Sequence, residues 1–340
     1  MQNKLEPGNL LYSDGNLAES GYAFSLVKTY NRNHIKANKM RIKEWDYYYI
    51  GNEHFGVALT VADNSYMSLA SISFLNFDKP SEKTKSFIKF FSNGKLDLPS
   101  TSVTGDVIYK SKKCNISFKH EGNKRHIEAK MKKFDDDKDF RCDIYLEETN
   151  KDSMVIATPF KKDKHFYYNQ KINLLRSSGY VKIGYEYFDF NNDTYGVLDW
   201  GRGVWTYKNT WYWSSLSAIH NGKRIGFNLG YGFGDTSNAS ENMFFYNDRA
   251  YKLNDVHFDI PIDKNGNDDY LKPWKITSSD GTISLLFTPI INRHANTSLV
   301  VLKSIQNQVF GRFNGYICIG DERITVSNLL GFAEKVVNWW

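Results

Sequence analysis

Two segments of this chain carry residue types that chemistry needs. In Asp199-Trp200-Gly201-Arg202-Gly203 a carboxylate and a guanidinium lie three residues apart beside two glycines. Glycine lets a backbone turn tightly, so Asp199 and Arg202 are expected to reach each other or a shared ligand. Arg202 would hold a carboxylate or enolate. Asp199 would act as a general acid where a desolvated pocket keeps its proton on. The competing reading is a buried ion pair with a purely structural role.

The second segment runs from Gly226 to Asn242. Its Gly230-x-Gly232-x-Gly234 follows a strand pattern but opens no helix, which excludes a phosphate-cradling loop. Glycines alternating along a strand make room for close packing or for a ligand. Asn228 lies within this run, and Asp235, Glu241 and Asn242 set polar groups beside Met243-Phe244-Phe245, the make-up of a pocket mouth. Glu241 is therefore a second candidate acid. Upstream, Phe166-Tyr167-Tyr168-Asn169-Gln170-Lys171 offers hydroxyl and amide donors, with Tyr167, Tyr168 and Asn169 placed to orient a substrate or meet a developing oxyanion. Trp200 and Trp213 would add aromatic faces that stabilise positive charge. The runs Tyr47-Tyr48-Tyr49 and Phe166-Tyr167-Tyr168 must each show rings to both faces of a strand.

Other chemistries find no support. The eight histidines lack metal-ligand spacing, and Asp135-Asp136-Asp137-Lys138-Asp139 lacks the glycine and terminal glutamate of a calcium loop, so it reads as a charged hairpin. Cys114, Cys142 and Cys318 are an odd number without close spacing, which predicts buried or half-buried thiols in strands. No nucleophilic triad signature occurs. Neither a metal nor a cofactor is expected.

The elements that must position these residues are strands. Aromatics make up 16% of the 340 residues, and aromatic side chains fit a half-buried pleated surface. Period-two alternation recurs, as in Cys114, Ile116 and Phe118 against Asn115, Ser117 and Lys119, or Val256, Phe258 and Ile260 against His257 and Asp259. Asn-Gly and Asp-Gly pairs at 14, 221, 265, 280 and 314 separate the runs as hairpin turns do. Only Ser81–Phe91 is expected to form a short helix. The formal net charge of +6 is scattered and meets no nucleic-acid motif, so it reads as solvated strand faces. Without a signal-type leader or an apolar run of about 18 residues, the expected location is the cytoplasm, with no stable membrane insertion.

Gly179-Tyr180-Val181-Lys182-Ile183-Gly184 repeats as Gly315-Tyr316-Ile317-Cys318-Ile319-Gly320. The match continues: Gly196 falls opposite Gly331, Asp199 opposite Glu334 and Trp205 opposite Trp340, with a fainter pairing of Trp45 to Trp213 and of 55–59 to 225–229. Two domain-sized copies follow, residues 1–205 with an N-terminal extension and residues 206–340, each a β-barrel or sandwich. The repeated acid looks structural for that reason. Arg202, whose counterpart is Val337, breaks the symmetry and draws the functional expectation towards itself and the 226–242 segment.

The segments 166–171, 199–205, 226–235 and Gly331-Phe332-Ala333-Glu334 together resemble the family called domain of unknown function 2804, over nearly the whole chain. One departure is Ser240, where the family pattern reads Thr; the hydroxyl is kept. That family carries no established reaction and is distantly similar to tandem lipocalin-like proteins, a group that includes carotenoid hydratases, tocopherol cyclases and cyclases of polyketide-derived products. The resemblance implies an all-β fold of two tandem lipocalin-like antiparallel modules. It also implies a small apolar ligand held between or within them, with acid-catalysed hydration, isomerisation or cyclisation as the enzymatic reading. A non-catalytic carrier of a lipid-like ligand, or a carbohydrate-binding sandwich, are the alternatives. Oligomeric state is left open.

Overall fold

In the computed structural model, which describes residues 2–190, 194–299 and 302–339, the alternating runs form two large antiparallel sheets. The central run of the first is ordered Ser81–Phe90, Met67–Asn76, Phe55–Asp63, Ile42–Gly51, Tyr195–Val204, Phe166–Ile183, Lys138–Glu148, Lys124–Asp135, Cys114–Glu121, Val107–Lys110. The second runs Arg249–Lys252, Met243–Tyr246, Lys223–Tyr231, Lys208–His220, Glu322–Trp339, Leu302–Ile319, Ile283–Leu299, Trp274–Ser278, Val256–Asp259. The second order follows the first strand for strand as far as Cys114–Glu121, and only Val107–Lys110 at the end of the first lacks a counterpart among the described residues. Each sheet curls into a half-barrel around its own core, one including Tyr48, Phe118, Ile144 and Trp200, the other Phe227, Trp274, Phe287 and Phe313. These are two tandem lipocalin-like modules. Among the described residues, helix is confined to two single 3-10 turns, Arg32–His34 and Lys39–Arg41.

The repeated glycines have a common cause. Gly179 (φ 123°) and Gly315 (φ 141°) sit in backbone that a side chain rarely adopts, and a Cβ on either would strike the carbonyl of Asp143 or Ser284, the residue just before its register partner on the neighbouring strand. Replacing either with alanine is expected to cost about 1–3 kcal/mol, similar in the two modules because the clash is the same. The midpoint of guanidinium unfolding measures it, and unchanged midpoints would remove this account of the repeat.

Two expectations need correction. Ser81–Phe90 is a strand, not a helix: it pairs along its whole length with Met67–Asn76. Its apolar residues serve two faces, Phe87 packing on the first core while Ile88 and Phe90 lie on the other side. Strand register also makes Trp211, rather than Trp213, the counterpart of Trp45. Asp199 faces Tyr47 and Glu334 faces Trp213, so the Trp45–Trp213 alignment was two residues off. A shift of two keeps every side chain on its own face, which is why alternation cannot detect it. Trp340 lies outside the described residues.

The cysteines sit in strands, with Cys114 and Cys142 buried and Cys318 half-buried. Residues before Ile42 pack Leu5, Leu10, Tyr30 and Ile35 onto the first core, and the extreme N-terminus straps the second module, where Gln2 Nε2 donates to the Leu253 carbonyl at 2.8 Å. The modules also join through a bulge in Phe166–Ile183, where Asn173 Nδ2 donates to Ser215 Oγ at 2.8 Å and to the Phe227 carbonyl at 3.1 Å.

Candidate functional site

Asp199 and Arg202 do not meet. The segment that reads as a tight turn is an unbroken buried strand, and residues three apart on a strand point to opposite faces. Gly201 and Gly203 serve close packing instead: a Cβ at 201 would collide with the Trp45 indole, and one at 203 with the Phe166 carbonyl. Arg202 points into the first core. There it donates to the carbonyls of Pro99 at 2.8 Å and Trp45 at 2.8 Å, pairs with Asp46 at 3.0 Å and stacks on Trp200 with the guanidinium carbon 4.4 Å from the ring centre.

Asp199 points the other way, into a cavity of about 350 Å³ between the modules. Its walls are the outer faces of the two half-barrels: Trp45, Tyr47 and Asp199 among the residues from one, and Trp211, Trp213, Gln308 and Glu334 among those from the other. The interiors of the half-barrels are filled by their own cores. Trp45, Trp205, Trp211, Trp213, Tyr167 and Phe233 form much of the apolar wall, with Trp45 stacked over Tyr167 at 6.1 Å and Phe233 edge-on to Tyr167 at 4.7 Å.

Charge is concentrated in this wall. Lys171 Nζ is buried 3.2 Å from Asp199, 3.9 Å from Glu241 and 4.0 Å above the Trp213 ring. Asp199 also accepts from Asn169 Nδ2 at 2.6 Å. Glu334 accepts from Trp211 Nε1 at 3.1 Å, Gln308 Nε2 at 3.1 Å and Gln306 Nε2 at 3.3 Å. Glu241 is held more loosely, its nearest side-chain donor being Asn228 Nδ2 at 3.4 Å. Burial raises the Glu241 and Glu334 carboxyls above the usual range, partly opposed at Glu241 by Lys171 and at Glu334 by Trp211. The buried Tyr167 hydroxyl is likewise raised, by burial first and by Glu241 next.

Local structure explains how Glu241 reaches the cavity. Gly230 lies against its carboxyl, where a Cβ would come within 2.6 Å of Oε1. Asn242 Oδ1 accepts from the Gly230 amide at 2.7 Å, while Asn228 Nδ2 donates to the Glu241 carbonyl at 2.7 Å and Asn228 Oδ1 accepts from Trp213 Nε1 at 2.6 Å. Asp199, Glu241, Tyr167 and Trp213 thus share one cavity, with Asn169, Asn228 and Asn242 directly behind its wall. Tyr168 and Trp200 lie instead in the first core, stacked edge to face at 5.7 Å, and Asp235 is exposed, its carboxylate capping the Ser237 amide at 3.0 Å. Lys171, Glu334, Trp45, Tyr47, Trp205, Trp211 and Arg293 were not singled out as site residues from sequence. The repeat held the missing signal: the duplicated acid faces the same cavity from both modules. His126, Glu128 and Asp143 bring one ligand atom each within 4.8 Å, but His126 is paired with Asp143 at 2.8 Å and Glu128 with Lys119 at 2.9 Å.

A family described as Domain of unknown function (DUF2804) matches residues 2–340. No curated protein matches the sequence. Among solved structures, kievitone hydratase from Nectria haematococca superposes with a TM-score of 0.50 at 13% identity, covering 87% of this chain and 88% of its own. A protein of Nitrosomonas europaea described as AttH superposes with a TM-score of 0.51 at 12% identity, covering 90% and 95% respectively. At these identities the likeness establishes the fold.

Proposed function

The chain belongs to the DUF2804 family, and on that premise we propose that it binds an apolar, unsaturated small molecule in the cavity between its modules, with Glu241 as an acid catalyst. One observation carries the reading: an aromatic-walled cavity contains a buried carboxyl whose nearest cation, Lys171, is 3.9 Å away and already committed to Asp199 at 3.2 Å. Such a carboxyl keeps its proton closer to neutral pH and can deliver it to a carbon–carbon double bond. In a hydration, the proton of Glu241 would form the new C–H bond and the facing indoles would stabilise the cation. Water would then form the C–O bond, and its surplus proton would return to the Glu241 carboxylate. Isomerisation or cyclisation needs the same first step. That a protein of similar fold is a hydratase supports this class of chemistry.

The test begins with native mass spectrometry and solvent extraction of the purified protein, to identify the molecule it retains. With that molecule as substrate, Glu241→Gln should lower turnover about a hundredfold or more while leaving binding in place. Because the active form is protonated, the rate should fall as pH rises through the raised Glu241 value. Unchanged turnover in Glu241→Gln would remove Glu241 as the acid, absence of turnover in the wild type would leave a non-catalytic carrier, and failure to retain or bind any apolar molecule would end the reading altogether.

A further inference from the structure

The two cations of the cavity wall differ in how they are satisfied. Lys171 has Asp199 beside it and Glu241 beyond. Arg293, on the strand Ile283–Leu299 of the second module, reaches across to the first, where Nη1 donates to Ser73 Oγ at 3.0 Å and the guanidinium carbon lies 5.8 Å from the centre of the Tyr47 ring. Among the described residues no carboxylate lies at ion-pair distance from it. Glu334, an acid of the same wall that feels its field, is hydrogen-bonded to Trp211, Gln306 and Gln308 instead. One hydroxyl uses one of the five N–H donors of a guanidinium, and the fork geometry of the rest suits a carboxylate.

We propose that Arg293 receives an anionic end of the ligand, so that the cavity takes amphipathic organic acids, with an apolar body against the tryptophans and a carboxylate on the guanidinium. This rests on the cavity being a ligand site and narrows what it selects. Ser73 is fully buried and also accepts from Thr84 Oγ1 at 2.8 Å, so it pins the guanidinium in place before a ligand arrives. Burial also favours the protonated forms of Glu241 and Glu334. Each proton they keep removes a negative charge from the wall and leaves Arg293 less compensated.

The discriminating measurement uses cis-parinaric acid and its methyl ester, which share one fluorescent polyene body and differ in the charged end. At neutral pH the wild-type protein should bind the acid about tenfold or more tighter than the ester, the worth of one good charge-assisted contact. Arg293→Met should bind both alike at the ester's affinity, and Arg293→Lys should restore part of the preference. Equal binding of acid and ester by the wild type, or a preference that survives in Arg293→Met, would overturn the assignment while leaving the apolar cavity intact. If neither probe binds, the ligand-site reading fails first and takes this one with it.

Discussion

Arg202→Met is expected to lower the stability of the first module by about 3–5 kcal/mol, the usual cost of removing one partner from a buried ion pair. Methionine is close in length and fills much of the space, so the loss is mainly one of polar partners. Asp46 would be left in the core without its cation, and the Pro99 and Trp45 carbonyls without their donors. Burial already raises the Asp46 carboxyl, with Arg202 the largest influence opposing it. Asp46→Asn in the same chain should therefore recover part of the loss, and the double-mutant cycle read from guanidinium unfolding should show coupling above about 0.5 kcal/mol. This separates two roles that one residue could fill. If Arg202→Met unfolds at the wild-type midpoint yet no longer binds or turns over the cavity's ligand, the guanidinium serves the ligand and not the core.

Arg202 also shows where sequence stops being informative. Alternation along Cys114–Glu121 or Val256–Asp259 reports a face wetted by water and a face buried, and that contrast is written in residue types. Tyr195–Val204 is buried on both faces, one against its own core and the other against the second module, so its types do not alternate and its glycines look like a turn. Ser81–Phe90 misleads in the opposite way, because an exposed strand with apolar residues on both faces imitates the spacing of a short helix. The duplication was legible because its glycines answer to fixed backbone geometry at Gly179 and Gly315. What the duplication did for the site was not legible. Repetition of the acid at 199 and 334 reads in sequence as a structural requirement, yet once the half-barrels pack outer face to outer face, the repeat places both carboxyls on one cavity. Only the packing of the modules distinguishes these outcomes, and that depends on contacts distant in sequence, such as Asn173 to Ser215 and Tyr47 to Gln308.

Lys171→Met should show the largest pH-dependent effect in the molecule. At neutral pH the substitution leaves Asp199 and Glu241 facing each other's charge in an aromatic cavity with their shared cation gone, at an expected cost of about 3–5 kcal/mol. Lys171 is the largest influence holding the Glu241 carboxyl down against burial, so without it that carboxyl rises further. A carboxyl raised in the folded state binds its proton more tightly there than in the unfolded chain. The folded state is then favoured at low pH, and stability is lost as pH rises from the unfolded carboxylate range near ~4 up through the folded value. The variant should consequently lie close to wild type at acidic pH and diverge from it as pH approaches neutrality. Tryptophan fluorescence can follow urea unfolding across that range, since Trp213 lies directly under the lysine at 4.0 Å. A deficit that is the same at pH 5 and pH 8 would mean that Lys171 contributes packing alone. The loose hold on Glu241, which makes it the candidate acid, would then need another origin than competition for this cation.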